Sequence, residues 1–269
     1  MEKRELGRTR EKIPVIGMGT WEIGDAKGGG LALEVQALRK GIELGMTLID
    51  TAEMYGSGNS EKLIGQAVKG IRDDVFIATK VSPEHFGYDD VLASCESSLR
   101  RLGVEHIDLY QLHWPSYEVP IKETMKAMEE LISRGKIRYI GVSNFSVAQT
   151  LKAREALPRS EIASNQVRYS LTHRSIESEL LPFCEREKLT VIAYTPLDSG
   201  RLPSGRIPQA LLEKYGMTPA QMMLNWVTYR DAVIAIPKAS DLKHVEENAA
   251  AVRVRISGDD YRAISRKLA

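Results

Sequence analysis

Eight short apolar runs recur along the chain, each followed by a segment with helical spacing, and this alternation leaves few folds open. The runs are Val15–Thr20, Met46–Asp50, Val75–Lys80, Ile107–His113, Arg138–Ser143, Ile162–Gln166, Thr190–Tyr194 and Val233–Pro237. Most lack a clean apolar–polar alternation, as expected of parallel strands covered on both faces. Between them, Leu31, Val35, Leu38 and Ile42 mark one helical face that ends at Gly45, a residue suited to the left-handed C′ position. Pro120 opens a run containing Ile121, Met125, Met128 and Leu131, which Gly135 closes. Thr218–Pro219–Ala220–Gln221 has the form of a capping box with proline at the first helical position.

Eight strand–helix units without an internal linker predict an α/β fold, a closed (β/α)8 TIM barrel spanning residues 1–269 as a single catalytic domain. The length of 269 residues and a 43% hydrophobic content suit one continuous core of that kind. The competing arrangement is a doubly wound open sheet. GMGTWEIG and GSGNSE both break the glycine spacing that such a sheet uses for dinucleotides. A short N-terminal hairpin at about 3–12 is expected to plug the barrel floor, and a last helix to cover about 257–269; residues 198–217 form the longest irregular connection.

Lys+Arg of 37 against Asp+Glu of 36 leaves a formal charge of +1, so no field draws the chain to nucleic acid or an anionic membrane. The start, MEKRELGRTREK, is charged and lacks a secretory apolar core, and no apolar run is long enough to span a bilayer. A cytoplasmic protein is expected. Cys95 and Cys184 each share a face with apolar residues and lack neighbours at metal-ligand spacing, so both read as core residues.

Four polar residues stand out at one end of three successive strands. Asp50 and Tyr55 lie in LIDTAEMYG, Lys80 ends VFIATK, and His113 ends the strand in DLYQLHWP. Parallel strands bring their C-terminal ends to one rim, where barrel active sites form. A free phenol titrates near pH 10 and is a poor proton donor at neutrality; a nearby Lys80 ammonium is expected to lower that value while Asp50 holds the ammonium in place. His113 then orients the oxygen being protonated. This is equipment for carbonyl reduction, with hydride supplied by a nicotinamide because no side chain donates one. Each residue also has a structural reading: a helix-start cap, a snorkelling lysine, a loop aromatic, a core histidine. All four at adjacent strand ends favour a site.

With these residues in view, the chain resembles the aldo-keto reductase family over nearly its whole length. IPVIGMGTW, LIDTAEMYGSGNSE, ATK, DLYQLHWP, IRYIGVSNF, SNQVRYS, VIAYTPL and AIPKAS occur in the family's order. The resemblance implies a (β/α)8 barrel that binds an extended NADP(H). It makes Tyr55 the general acid/base, tuned by Asp50 and Lys80, with His113 orienting the carbonyl. It places Ser143, Asn144 and Gln166 on the nicotinamide carboxamide and Tyr194 against the ring. The backbone of Thr195, Leu197 and Ser199 follows the pyrophosphate, while Lys238, Ser240, Lys243, His244, Glu247 and Asn248 hold the adenosine end. Asp198 stands where many relatives carry a small or neutral residue; it either turns to solvent or weakens the cofactor's hold. Ser240 reads as the cap of a helix beginning near Asp241. Ala239 replaces a frequent hydroxyl and His244 a typical arginine, so NADP(H) is favoured and NAD(H) stays open.

Trp21, Met54, Phe86 and Trp114 are expected to line an apolar substrate pocket, whereas Trp226 reads as core. The sequence ends soon after its last helical run, without the long tail by which many relatives enclose substrate, so a shallow site for aldehydes, small ketones or open-chain sugars is expected. The family implies a monomer acting on a small carbonyl or alcohol. Two rivals remain: a non-catalytic cofactor-sensing subunit of the same fold, and an aldolase using Lys80 as Schiff-base former.

Overall fold

A computed structural model describes residues 1–25, 30–200 and 207–267. Two short strands, β1 (Lys3–Glu5) and β2 (Lys12–Pro14), pair antiparallel. Eight further strands follow, all in parallel register: β3 (Met18–Gly19), β4 (Leu48–Asp50), β5 (Phe76–Val81), β6 (Ile107–Leu112), β7 (Ile137–Ser143), β8 (Ile162–Arg168), β9 (Thr190–Tyr194) and β10 (Val233–Ala235). The sheet order follows the chain order from β3 to β10.

The two ends of that sheet meet. Ala235 N–H donates to Val15 O at 2.9 Å, Gly17 N–H to Ala235 O at 2.8 Å and Gly19 N–H to Pro237 O at 3.1 Å, with a parallel bridge between Ile16 and Ala235. These bonds close a (β/α)8 barrel and remove the free sheet edges. The first and last strands, Met18–Gly19 and Val233–Ala235, are shorter than the apolar runs Val15–Thr20 and Val233–Pro237.

Helices α1 (Gly30–Glu43), α2 (Asn59–Val68), α3 (Tyr88–Leu102), α4 (Ile121–Ser133), α5 (Val147–Glu155), α6 (Leu180–Glu187), α7 (Gln209–Tyr215), α8 (Pro219–Val227), α9 (Leu242–Ala250) and α10 (Gly258–Lys267) follow in sequence. The capping box read at Thr218 is present: its hydroxyl accepts from Gln221 N–H, and Gln221 Oε1 accepts from Thr218 N–H. Pro120 precedes α4, and Gly135 just beyond it takes φ +67°.

Two apolar cores result. One lies between sheet and helices and contains Cys95, Cys184 and Trp226, all fully buried. The other fills the lower barrel with Leu48, Phe76, Ala78, Leu109, Ile192 and Ile234, closed from below by Leu6 and Ile13 of the hairpin. Arg4 ties the hairpin to the barrel wall, donating to Arg230 O and Val233 O at 2.9 and 2.7 Å. Among the described residues, no helix is long and apolar enough to cross a membrane.

Candidate active site

Period-two alternation carries the site upward from that lower core. On β4, Leu48 belongs to the inner core, Ile49 to the outer one, and Asp50 returns inward. On β5, Phe76 and Ala78 belong to the inner core and lead up to Lys80; on β6, Leu109 leads to Gln111 and then His113. The lower members are apolar and the upper ones polar, so the barrel holds a buried polar layer beneath its rim.

Lys80 Nζ uses its three donors within that layer. It donates to Asp50 Oδ2 and to Thr51 O, both at 2.7 Å, and to the Tyr55 hydroxyl at 3.4 Å. Asp50 is matched in turn: Oδ1 accepts from Gln166 Nε2 at 2.6 Å and from Gln111 Nε2 at 3.2 Å. A fully buried ion pair survives only when its remaining lone pairs and protons are satisfied, and here they are. Gln111 is a further member of the layer that the strand-end pattern does not mark. Its place two positions before His113 on the same strand is the signal that puts it on the same inward face.

Tyr55 reaches the layer from a tight turn, Tyr55–Gly58, just past β4. Gly58 has φ +87°, and a Cβ there would meet Arg101 Cδ at 2.5 Å. Arg101 is held by Glu61 at 2.6 Å, and Glu61 also accepts from Thr79 of β5 at 2.6 Å. The turn is thus braced on the strand that carries Lys80. The Tyr55 and His113 rings meet edge to face at 5.7 Å, and Trp114 stacks on His113 at 3.9 Å.

Charge states follow from this packing. Burial is the largest influence on Tyr55 and raises its pKa; Lys80 pulls it down and Asp50 up, and the balance lies above the usual phenol value. Lys80 acts in the expected direction, but desolvation outweighs the ammonium and the net shift is upward. For Lys80, burial pushes downward, but Asp50 and Tyr55 outweigh it and the amine stays charged. Burial and then Lys80 bring His113 down to about 2, so its imidazole is neutral at physiological pH. Its Nδ1 is buried with no partner.

The next rim positions join the layer through β7, β8 and β9. Ser143 Oγ donates to Gln166 O at 2.9 Å. Asn144, at φ +62°, donates from Nδ2 to His113 O and Ser143 Oγ, while its Oδ1 accepts from Tyr194 OH at 3.0 Å. Ser143, Asn144, Gln166 and Tyr194 are therefore brought together, and Gln166 links them directly to Asp50.

Past β9, Thr195, Asp198 and Ser199 all take positive φ, at 51°, 51° and 56°. Asp198 does not turn to solvent; it is buried, with both carboxylate oxygens on hydroxyl donors.

The far end is built differently. Lys238, Ser240, Lys243 and His244 are exposed. Ser240 is not the cap of α9: Asp241 is, accepting from Lys243 N–H at 2.9 Å and His244 N–H at 3.3 Å. Glu247 accepts from the Thr218 hydroxyl, and Asn248 is buried.

Of the expected pocket residues, Trp21, Met54 and Trp114 are exposed, at 59, 50 and 40%. Phe86 is only 1% exposed and packs into the outer core, so it does not form a pocket wall here.

Residues 15–269 match the model of the aldo/keto reductase family. The chain belongs to the aldo/keto reductase family. It is 44% identical over 250 residues to the methylglyoxal reductase YeaE of Escherichia coli K12, covering 91% of this chain and 87% of that one. An aldo/keto reductase of Klebsiella pneumoniae, solved with NADP and acetate, superposes with a TM-score of 0.90 at 41% identity, covering 99% of this chain and 95% of that one. The thermostable aldo-keto reductase Tm1743, solved with the inhibitor epalrestat, superposes at 0.95 with 39% identity, covering 99% and 100%.

Proposed function

We propose that this protein reduces small aldehydes, including 2-oxoaldehydes of the methylglyoxal type, to alcohols with NADPH, and that the reaction is reversible. The observation that carries the reading is the Tyr55 phenol held beside a charged Lys80 and a neutral His113 at the rim. Similarity to a methylglyoxal reductase supports the substrate class, and similarity to a reductase solved with NADP supports the cofactor.

The rim residues suit a nicotinamide carboxamide, which needs an acceptor for its amine and a donor for its oxygen. Gln166 commits its Nε2 to Asp50 and leaves Oε1 for the former; for the latter, the Ser143 hydroxyl would turn its proton from Gln166 O, or Asn144 Nδ2 one of its two from His113 O or Ser143 Oγ, to the bound carboxamide. Tyr194, half-buried and tethered to Asn144, is positioned to limit where the ring settles. Lys238 and Lys243 provide positive charge for a 2′-phosphate.

A nicotinamide bound at Ser143, Asn144 and Gln166 would supply the hydride. The protein's task is the proton. Tyr55 accepts from Lys80, so its own O–H remains to donate to the carbonyl oxygen as negative charge develops there. Lys80 then faces the phenolate, and Asp50 prevents the ammonium from moving away. His113, being neutral, offers an N–H to the same oxygen without competing as an acid. Trp114, stacked on His113, keeps that ring in plane. Trp21 and Met54 offer the substrate an apolar rim.

A Schiff-base role for Lys80 has little support, since all three of its donors are engaged and its amine is held charged. The reading includes a monomer acting in the cytoplasm, which light scattering and cell fractionation check. The direct test is to follow NADPH and NADH oxidation with methylglyoxal and a panel of aldehydes and ketones. Turnover with small aldehydes is expected; cofactor binding without turnover on any carbonyl would contradict the proposal.

A further inference from the structure

Asp198 places a carboxylate in the turn expected to follow a pyrophosphate, where a free negative charge would repel the ligand. The structure shows where that charge goes. Asp198 is 7% exposed; Oδ1 accepts from Ser170 Oγ and Oδ2 from Thr172 Oγ1, both at 2.6 Å. Arg168 Nη2 lies 3.8 Å from Oδ1, close enough to offset charge but not to hydrogen-bond.

The donors are themselves fixed. Ser170 and His173 exchange backbone hydrogen bonds at 3.1 and 3.2 Å, and Ser170 Oγ accepts from His173 N–H at 3.0 Å. A locked turn after β8 therefore grips a side chain of the turn after β9. The gripped turn needs it. Thr195, Asp198 and Ser199 are non-glycine residues in the left-handed region, which persists only where the surroundings over-determine it. Within the turn, Asp198 N–H donates to Thr195 O at 3.1 Å and Gly200 N–H to Leu197 O at 2.9 Å. The two charge-assisted hydroxyl bonds supply the rest of the constraint.

We propose that Asp198 is a positioning residue for the dinucleotide: pinned by Ser170 and Thr172, it holds the 195–200 backbone in its left-handed shape before the pyrophosphate arrives. The inference rests on the reductase reading above. A loop ordered in advance spares binding the cost of ordering it. Sending the carboxylate into two hydroxyls also keeps a like charge off the phosphate track. A purely repulsive Asp198 and a pinning Asp198 make opposite predictions when the carboxylate is deleted.

The experiment measures dissociation constants by fluorescence titration for NADPH and, as a control lacking the pyrophosphate, adenosine 2′-monophosphate. The proteins are the parent, Asp198→Gly, Asp198→Asn and the double variant Ser170→Ala/Thr172→Val, with thermal melts to verify folding. The double variant should weaken NADPH at least about tenfold, because it leaves the carboxylate without donors. Asp198→Gly should weaken it about fivefold through loss of the pre-formed turn, although a negative charge has gone. Asp198→Asn should stay within about threefold, since the amide can accept from one hydroxyl and donate to the other. Adenosine 2′-monophosphate should change less than about twofold throughout, and the Michaelis constant for aldehyde should not move. Tighter NADPH binding by Asp198→Gly overturns the pin, as does equal weakening of both ligands or parent-like NADPH binding by the double variant. A parent that binds no NADPH overturns the reductase reading itself.

Discussion

The two ends of the proposed cofactor track are built to opposite plans. At the nicotinamide end, Asp50, Lys80, Gln111, Tyr55, Gln166, Ser143, Asn144 and Tyr194 form one continuous hydrogen-bonded set, most of it buried. At the adenosine end, Lys238, Lys243 and His244 stand exposed around a helix start whose N–H groups Asp241 already occupies. The first arrangement fixes atoms for chemistry. The second offers charge in water, where screening is strong and each interaction is weak. The protein is thus expected to be exacting about proton delivery and only moderately selective between NADPH and NADH.

The largest effect should come from breaking the buried end. Lys80→Met leaves Asp50 as an uncompensated buried charge and should cost about 3–5 kcal/mol of stability in urea unfolding, with turnover abolished. Next is the acid limb of stability. His113 titrates at about 2 in the folded protein against an ordinary 6.5. Its contribution is therefore complete above 6.5 and is lost as pH falls from there toward 2. At pH 5 the loss amounts to about 2 kcal/mol, and His113→Gln should flatten that part of the stability–pH curve. The same depression predicts no break near pH 6.5 in the reduction rate from His113.

Changes at the adenosine end should be smaller and confined to cofactor choice. Lys238→Met combined with Lys243→Met should raise the Kd for NADPH about tenfold and leave NADH nearly unchanged, narrowing the preference. Asp241→Asn keeps a good helix cap while removing a negative charge beside the phosphate site, so NADPH should tighten by about twofold. If the double lysine variant leaves the NADPH-to-NADH ratio intact, the phosphate is not read at this end.

The barrel was legible because burial on both faces and the recurring helical spacing are local patterns. The polar layer was legible because Asp50, Lys80 and His113 sit at matching strand ends, and alternation turns them the same way. What escaped depended on contacts between distant segments. The direction of Asp198 is set by hydroxyls at Ser170 and Thr172, which no local pattern ties to it. Ser240 and Asp241 are both good caps, and only the extended backbone at Asp241 (φ −102°, ψ 134°) decides between them. Phe86 is apolar beside a strand end whether it faces the pocket or the helices. The phenol's shift required knowing how far burial outweighs Lys80, a balance that residue types alone do not set.

The central claim is that Tyr55 supplies the proton and nothing else of comparable weight. Single-turnover NADPH oxidation with methylglyoxal by the parent and by Tyr55→Phe, with the NADPH Kd measured alongside, tests it directly. Loss of about 10²–10⁴ in rate with a Kd within twofold of the parent is predicted. A Tyr55→Phe protein that reduces methylglyoxal at the parent rate would contradict the account.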